Sequence, residues 1–455
     1  MSRRRTITTP LHAMAGILCG LPSGSEQIRF FSQVFKRHRF RAIREALYTR
    51  PEPQSPPAPW LYTRVLALGL LIAAAGIASA SRLGEYSACI VIPAAALVVP
   101  LSTYVLMTEL NTARDLAPWR TLLYATLITS LTTLPASAAI PTPMLGFASF
   151  VEEPAKFLTA LLLAWQLRLR LNRPLRGIAL GCAVGASFSF PENVLYMLNT
   201  YTENGYDAML TTALLRLICD TFAHTTWTGM AVGAYSLALC RREHAAEQGE
   251  SAPPPLLAWS FLRVFFTAML LHFLFNSMLD AIRSTDNTPV KPLLILFLPF
   301  GVAAIGYLSW SIIMRLVAAG LEHETHHPSP RESAPAKRPR LFCISLSGSV
   351  SRGEYSLICL VYFLLGALLI IGSELAPNAT SLQTGFYLAL IAYLPITALC
   401  GTAATACRLR DAGHSSRWVI ILIPFIYGSL FLLGLILACA KSKTASEEGL
   451  TIGHV

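Results

Sequence analysis

Apolar stretches of about 20 residues, separated by short polar breaks, run along most of this chain. At 1.5 Å rise per residue, a helix of that length matches the roughly 30 Å hydrocarbon core of a bilayer. The pattern predicts membrane helices at 61–80, 87–107, 121–140, 146–167, 177–199, 208–239, 257–280, 293–318, 355–374, 384–406 and 418–440. The fold class that follows is an all-α polytopic membrane protein, with about eleven transmembrane helices in two membrane domains. The last stretch contains Pro424 and Gly428, so it reads either as one crossing or as a hairpin.

The polar breaks divide the chain into units. Residues 1–59 are a basic N-terminal region that ends in a stiff Pro-rich linker, PEPQSPPAPW. Residues 60–318 form a first membrane domain, 319–344 a polar, Pro-rich cytoplasmic linker, 345–442 a second membrane domain and 443–455 a tail. Within the first unit, IRFFSQVFKRHRFRAIREAL reads either as a helix lying on an anionic membrane surface or as a solvated segment that sets orientation. His323, His326 and His327 in the second linker read as solvated residues rather than a metal site.

Composition agrees with the membrane reading. The chain is 54% hydrophobic and 13% charged; a soluble protein carries roughly twice that charge fraction. The net charge of +11 does not indicate nucleic-acid binding, because the basic residues cluster between apolar runs. Arg168, Arg170, Arg173 and Arg176 share one break, Arg241 and Arg242 open another, Lys337, Arg338, Arg340 and Arg352 fall in a third, and Arg408, Arg410 and Arg417 in a fourth. These alternate with basic-poor breaks such as YTENGYDA and SELAPNATS. That is the positive-inside pattern, and it predicts a cytoplasmic N-terminus. The ten cysteines contain no C-x-x-C pair and read as small buried apolar residues. LHAMAGILCGL is too short to span, and no small-residue cleavage site follows it.

Four predicted helices carry polar groups where lipid would penalise them, at about 2.5–3.5 kcal/mol for a charge at the bilayer centre. They are Glu152, Glu153 and Lys156 in FVEEPAKF, Glu192 and Asn193 in FSFPENVLY, Asp220 and His224 in CDTFAHTTWTG, and His272 and Asn276 in LHFLFNSMLD. Counted from the predicted span ends, Glu152, Glu192, His224 and His272 each lie about 15 residues, roughly 22 Å, from the cytoplasmic boundary. All four therefore fall in the outer half of the core. Glu152 with Lys156, Asp220 with His224, and His272 with Asn276 are each one helical turn apart. Gly177, Gly181, Gly185 and Glu192 project to nearly one side of their helix, a small-residue face that a neighbour can approach closely.

Two carboxylates in a poorly hydrated site resist ionising together, which suits one of them to act as general base on water. Lys156 can hold the other charged. Pro154 is placed to open or kink its helix and free N–H groups there. The histidines can donate to an oxyanion, move protons or bind a metal. From the residues alone, peptide hydrolysis within the membrane, a proton-coupled transporter or channel, and an inactive scaffold or sensor all stay open.

The order FVEEPAKF, GASFSFPENVLYM, FAHTTWTGMAVGAY and LHFLFN resembles the PrsW family of intramembrane proteases over roughly residues 95–320. Its members carry E-E-x-x-K, F-x-x-x-E-N and two later helix histidines, and belong with the glutamate-dependent membrane proteases that include the CaaX prenyl-protein endopeptidases. The resemblance implies a site of Glu152, Glu153, Glu192, His224 and His272, supported by Lys156 and Asn193, with Asp220 and Asn276 beside the histidines. It implies membrane-anchored protein substrates such as anti-sigma factors, cut near the extracytoplasmic side of a bacterial inner membrane. The cofactor is none or zinc. No H-E-x-x-H is present, and a glutamate-activated water is preferred over zinc on Glu153, Glu192, His224 and His272. Ser187 stands where glycine is expected before Phe188, and Pro191 directly precedes Glu192. SGSVSRGEYSL at 347–357 and CRLRDAGHSSRW at 407–418 resemble the uncharacterised YhaH-type bacterial inner-membrane domain, which carries no known chemistry. Their Arg–Asp–Gly–His cluster reads as a membrane-edge anchor.

Overall fold

The computed structural model describes residues 10–21, 61–111, 116, 118–140, 147–219, 223–284, 291–326, 352–376 and 381–411. Its helices are α1 (Pro10–Cys19), α2 (Leu61–Ala78), α3 (Ala88–Leu110), α4 (Pro118–Leu131), α5 (Thr133–Ala138), α6 (Ser149–Gln166) and α7 (Pro174–Asn204). They continue with α8 (Tyr206–Cys219), α9 (His224–Glu247), α10 (Trp259–Ser284), α11 (Lys291–His326), α12 (Arg352–Leu375) and α13 (Ser381–Asp411). Among the described residues there is no strand, so the all-α prediction holds. Seven helical runs are long and apolar enough to cross a membrane: 61–78, 84–110, 174–204, 259–281, 296–323, 357–375 and 385–408. The 18-residue α6 is not among them, because Glu152, Glu153 and Lys156 burden it with charge. The predicted eleventh span, the basic stretch at 28–47 and most of the 319–344 linker lie outside the described residues.

The span predicted at 208–239 is divided, with α8 ending at Cys219 and α9 beginning at His224. One helix over the whole segment would be about 48 Å long, well beyond the hydrocarbon core. Asp220, predicted to lie one turn before His224, is outside the described residues. The span at 121–140 is likewise divided, at Thr132, whose hydroxyl bonds the Ile128 carbonyl at 2.8 Å. α11 continues to His326, past its predicted end at 318. Cys19, Cys89, Cys182, Cys240, Cys359, Cys400 and Cys407 form no disulfide.

α7 is the central post. Every residue from Pro174 to Ser189 is buried, as expected of a helix surrounded on all sides. Its glycine face lies against α9, as the sequence pattern predicted. A Cβ at Gly181 would sit 2.5 Å from the Thr228 carbonyl oxygen, and one at Gly185 would overlap the His224 carbonyl oxygen. Only glycine allows the two backbones this approach. Ser187, at the position where glycine was expected before Phe188, accepts a hydrogen bond from the Thr126 hydroxyl at 3.1 Å and so ties α7 to α4. α7 runs on through Pro191, and α6 through Pro154, without a break.

Arg168 pairs with Glu354 at 3.3 Å, and Asn172 donates to Glu243 at 3.2 Å. The basic α6–α7 connection, the end of α9 and the start of α12 therefore share one end of the bundle. The C-terminal helices pack directly on the first bundle: a Cβ at Gly385 of α13 would sit 2.6 Å from the Pro135 carbonyl oxygen of α5.

Candidate active site

α6 begins at Ser149, so Glu152 lies in its first turn, near unpaired backbone N–H groups that favour negative charge. Lys156 follows one turn later and is completely buried. Its Nζ donates to Glu152 Oε2 at 3.0 Å, to Glu153 Oε1 at 2.9 Å and to His224 Nδ1 at 2.7 Å. An ammonium has three hydrogens to donate, and three acceptors surround this one. That satisfaction makes a buried cation tolerable here. The Phe188 ring lies beneath it, 4.0 Å from Nζ to the centroid.

His224 opens α9, where the close approach to Gly185 fixes its backbone. Since Nδ1 accepts from Lys156, Nε2 carries the hydrogen; it lies 2.8 Å from Glu192 Oε2, an oxygen that, like Glu153 Oε2, has no hydrogen-bond partner among the described residues. His272 of α10 places Nδ1 at 3.0 Å from Glu153 Oε1, while Asn276 Nδ2 lies 3.2 Å from its Nε2. The donors and acceptors are consistent when Nδ1–H donates to Glu153 and Asn276 donates to Nε2. The two imidazoles meet edge to face at 4.7 Å, and Trp227 stacks on His272 with its own indole N–H donated to Ser309 at 2.9 Å. Glu153 Oε2 is buried and has no hydrogen-bond partner among the described residues.

The structure thus brings together Glu152, Glu153, Lys156, Glu192, His224 and His272 from α6, α7, α9 and α10. Asn276 and Asn193 join their edges. Glu192 keeps 17% of its side chain exposed, whereas Glu153 keeps 1%, so Glu192 marks the open side. Two further polar groups enter that sequence reasoning did not single out. Arg216 of α8 donates to Asn193 Oδ1 at 3.1 Å, lies 3.9 Å from Glu192 Oε2 and stacks on Tyr196. Its charge inside the predicted 208–239 span was the available signal. Ser137 of α5 donates to Glu152 Oε1 at 2.6 Å; a serine in an apolar run carries no such signal.

Glu152, His224 and His272 could hold a metal, with one ligand atom from each within 4.8 Å of the others. One carboxylate and two imidazoles are the donor set of many catalytic zinc sites. This trio shares both histidines with the predicted zinc set but takes Glu152 in place of Glu153 and Glu192. In the arrangement seen, however, every candidate donor atom is engaged. Ser137 and Lys156 hold the two oxygens of Glu152, Lys156 and Glu192 face the two nitrogens of His224, and Glu153 and Asn276 face those of His272. As the side chains stand, the trio does not accommodate a metal together with the Lys156 ammonium.

Residues 117–305 match the family described as PrsW family intramembrane metalloprotease, and residues 343–448 match a family described as a protein of unknown function, DUF805. No curated protein and no solved structure matches the chain.

Proposed function

We propose, taking residues 117–305 as an intramembrane protease domain of the PrsW family, that this protein hydrolyses peptide bonds of membrane-anchored proteins, anti-sigma factors among them. In this reading it lies in a bacterial inner membrane with its N-terminus in the cytoplasm, and cuts toward the extracytoplasmic side. Residues 60–318 carry the catalytic domain and 345–442 a second membrane domain. The observation that carries the proposal is Glu153. One of its oxygens is held by Lys156 and His272, while the other is buried and unclaimed, as a base facing an attacking water requires.

His272 fixes the Glu153 carboxylate, and Asn276 fixes the tautomer of His272. Lys156 keeps Glu152 and Glu153 charged in a dry interior. His224 Nε2 lies beside Glu192, on the open side, where its N–H can serve a developing oxyanion. Glu192 beside it can exchange a proton with the departing amine. The climb from the basic end at Arg176 to Glu192 along α7 is about 24 Å, which supports the outer half of the membrane as the place of cleavage.

The test compares membrane-fraction peptides from cells carrying wild type or Glu153→Gln. Fragments made by wild type should fall by about a hundredfold or more in the variant, the usual range for a lost general base. Identical fragment patterns would count against proteolysis. Cleavage by purified protein should also persist in a chelator, and its disappearance there would contradict the glutamate-water route.

A further inference from the structure

The donors that would bind a divalent metal are the same atoms that Lys156 occupies. The ammonium takes Glu152 Oε2 and His224 Nδ1, two of the three members of the Glu152–His224–His272 trio. It is completely buried, so it has no solvated position within the site to retreat to. A metal entering this cluster must displace a full positive charge from its acceptors. We propose that Lys156 is a resident cation that competes with divalent metal for the site, so that wild type disfavours metal and removal of the lysine uncovers a zinc site on Glu152, His224 and His272.

The electrostatics support the competition. Glu152, Glu153 and Glu192 face the cations Lys156 and Arg216, which leaves the cluster one negative charge in excess. Without Lys156 the same carboxylates need another cation, and a buried carboxylate left unpaired is strongly unfavourable. The trio would then offer free Glu152 and His224 donor atoms. His272, whose ring is held by Trp227 and Glu153, is already in place. The inference concerns the same site as the proposed peptidase but is read by metal affinity. Failure to find cleavage leaves it standing, and its own failure leaves the peptidase reading standing.

The experiment measures zinc binding to full-length protein in detergent by calorimetry, with cobalt absorption as a report on ligand geometry. Wild type, Lys156→Met and Lys156→Met/Glu153→Gln are compared. The double variant removes one charge of each sign, keeps the trio intact and guards against misfolding of the single one. Both variants should bind one zinc ion at least about tenfold more tightly than wild type, the worth of a single charge-assisted hydrogen bond denied to the competitor. Adding His272→Ala should abolish the gain. A single variant that accumulates only when cells are supplied with zinc would support the same conclusion. Variants that bind zinc no more tightly than wild type would overturn it, and so would wild type that retains one zinc ion through purification against a chelator.

Discussion

At the residue scale, the site is a chain of charge-assisted contacts in which each group fixes the next. Lys156 orders two carboxylates and one imidazole, and that imidazole faces Glu192. Arg216 ends the chain on the open side by holding Asn193 and facing Glu192. Arg216→Gln should therefore lower kcat by about tenfold, roughly one lost charge-assisted bond, with KM little changed. Arg216→Lys should recover part of that loss, because the charge stays while the paired geometry goes. Kinetics on a cleavable membrane peptide check both, and equal losses in Gln and Lys variants would point to fold rather than charge. Most of these residues could be read in advance, because a bilayer penalises charge and each ionisable group in an apolar run demands a reason. Ser137, Phe188 and Trp227 could not, since their side chains sit in such runs at little penalty.

At the scale of helices, the α7–α9 seam sets the distance from Glu192 to His224. Gly185→Val places a branched side chain against the His224 backbone, and overpacking of this kind costs about 1–3 kcal/mol. The variant should unfold at lower temperature and lose cleavage together. Gly401→Ala on α13, where a Cβ meets open space, should leave both unchanged. Thermal unfolding in detergent with a parallel cleavage assay makes the comparison. The glycine spacing was legible as a face. Its partner was not, because a small-residue stripe says that something approaches and leaves open what. The division of 208–239 was also hidden: no proline or glycine marks the break near residue 220, and the contacts that seat the start of α9 lie on α7.

At the scale of the molecule, the C-terminal helices bear on the bundle that holds the candidate site. α13 rests on α5, and α5 supplies the Ser137 hydroxyl to Glu152. Deleting residues 343–455 should therefore reduce cleavage several-fold, about 1 kcal/mol for one buried hydrogen bond left to drift, without removing any acid or imidazole of the site. Cleavage undiminished by the deletion would show that the two units act independently. The polar, Pro-rich stretch at 319–344 was legible in the sequence as a break between apolar runs, but the packing of α13 on α5 was not.

By itself the sequence determined the membrane class, the helical fold and the identity of the acidic, basic and imidazole groups kept inside. Each of those follows from local physics: the length of an apolar run, the penalty on a charge in hydrocarbon, and the spacing of a helical turn. Tertiary structure alone decided that Lys156 claims the donors a metal would need, that Arg216 and Ser137 belong to the site, and that one oxygen of Glu153 is left unclaimed. Those outcomes depend on which helix faces touch and how closely, and hydrogen bonds between separate helices exist only once the backbones have met.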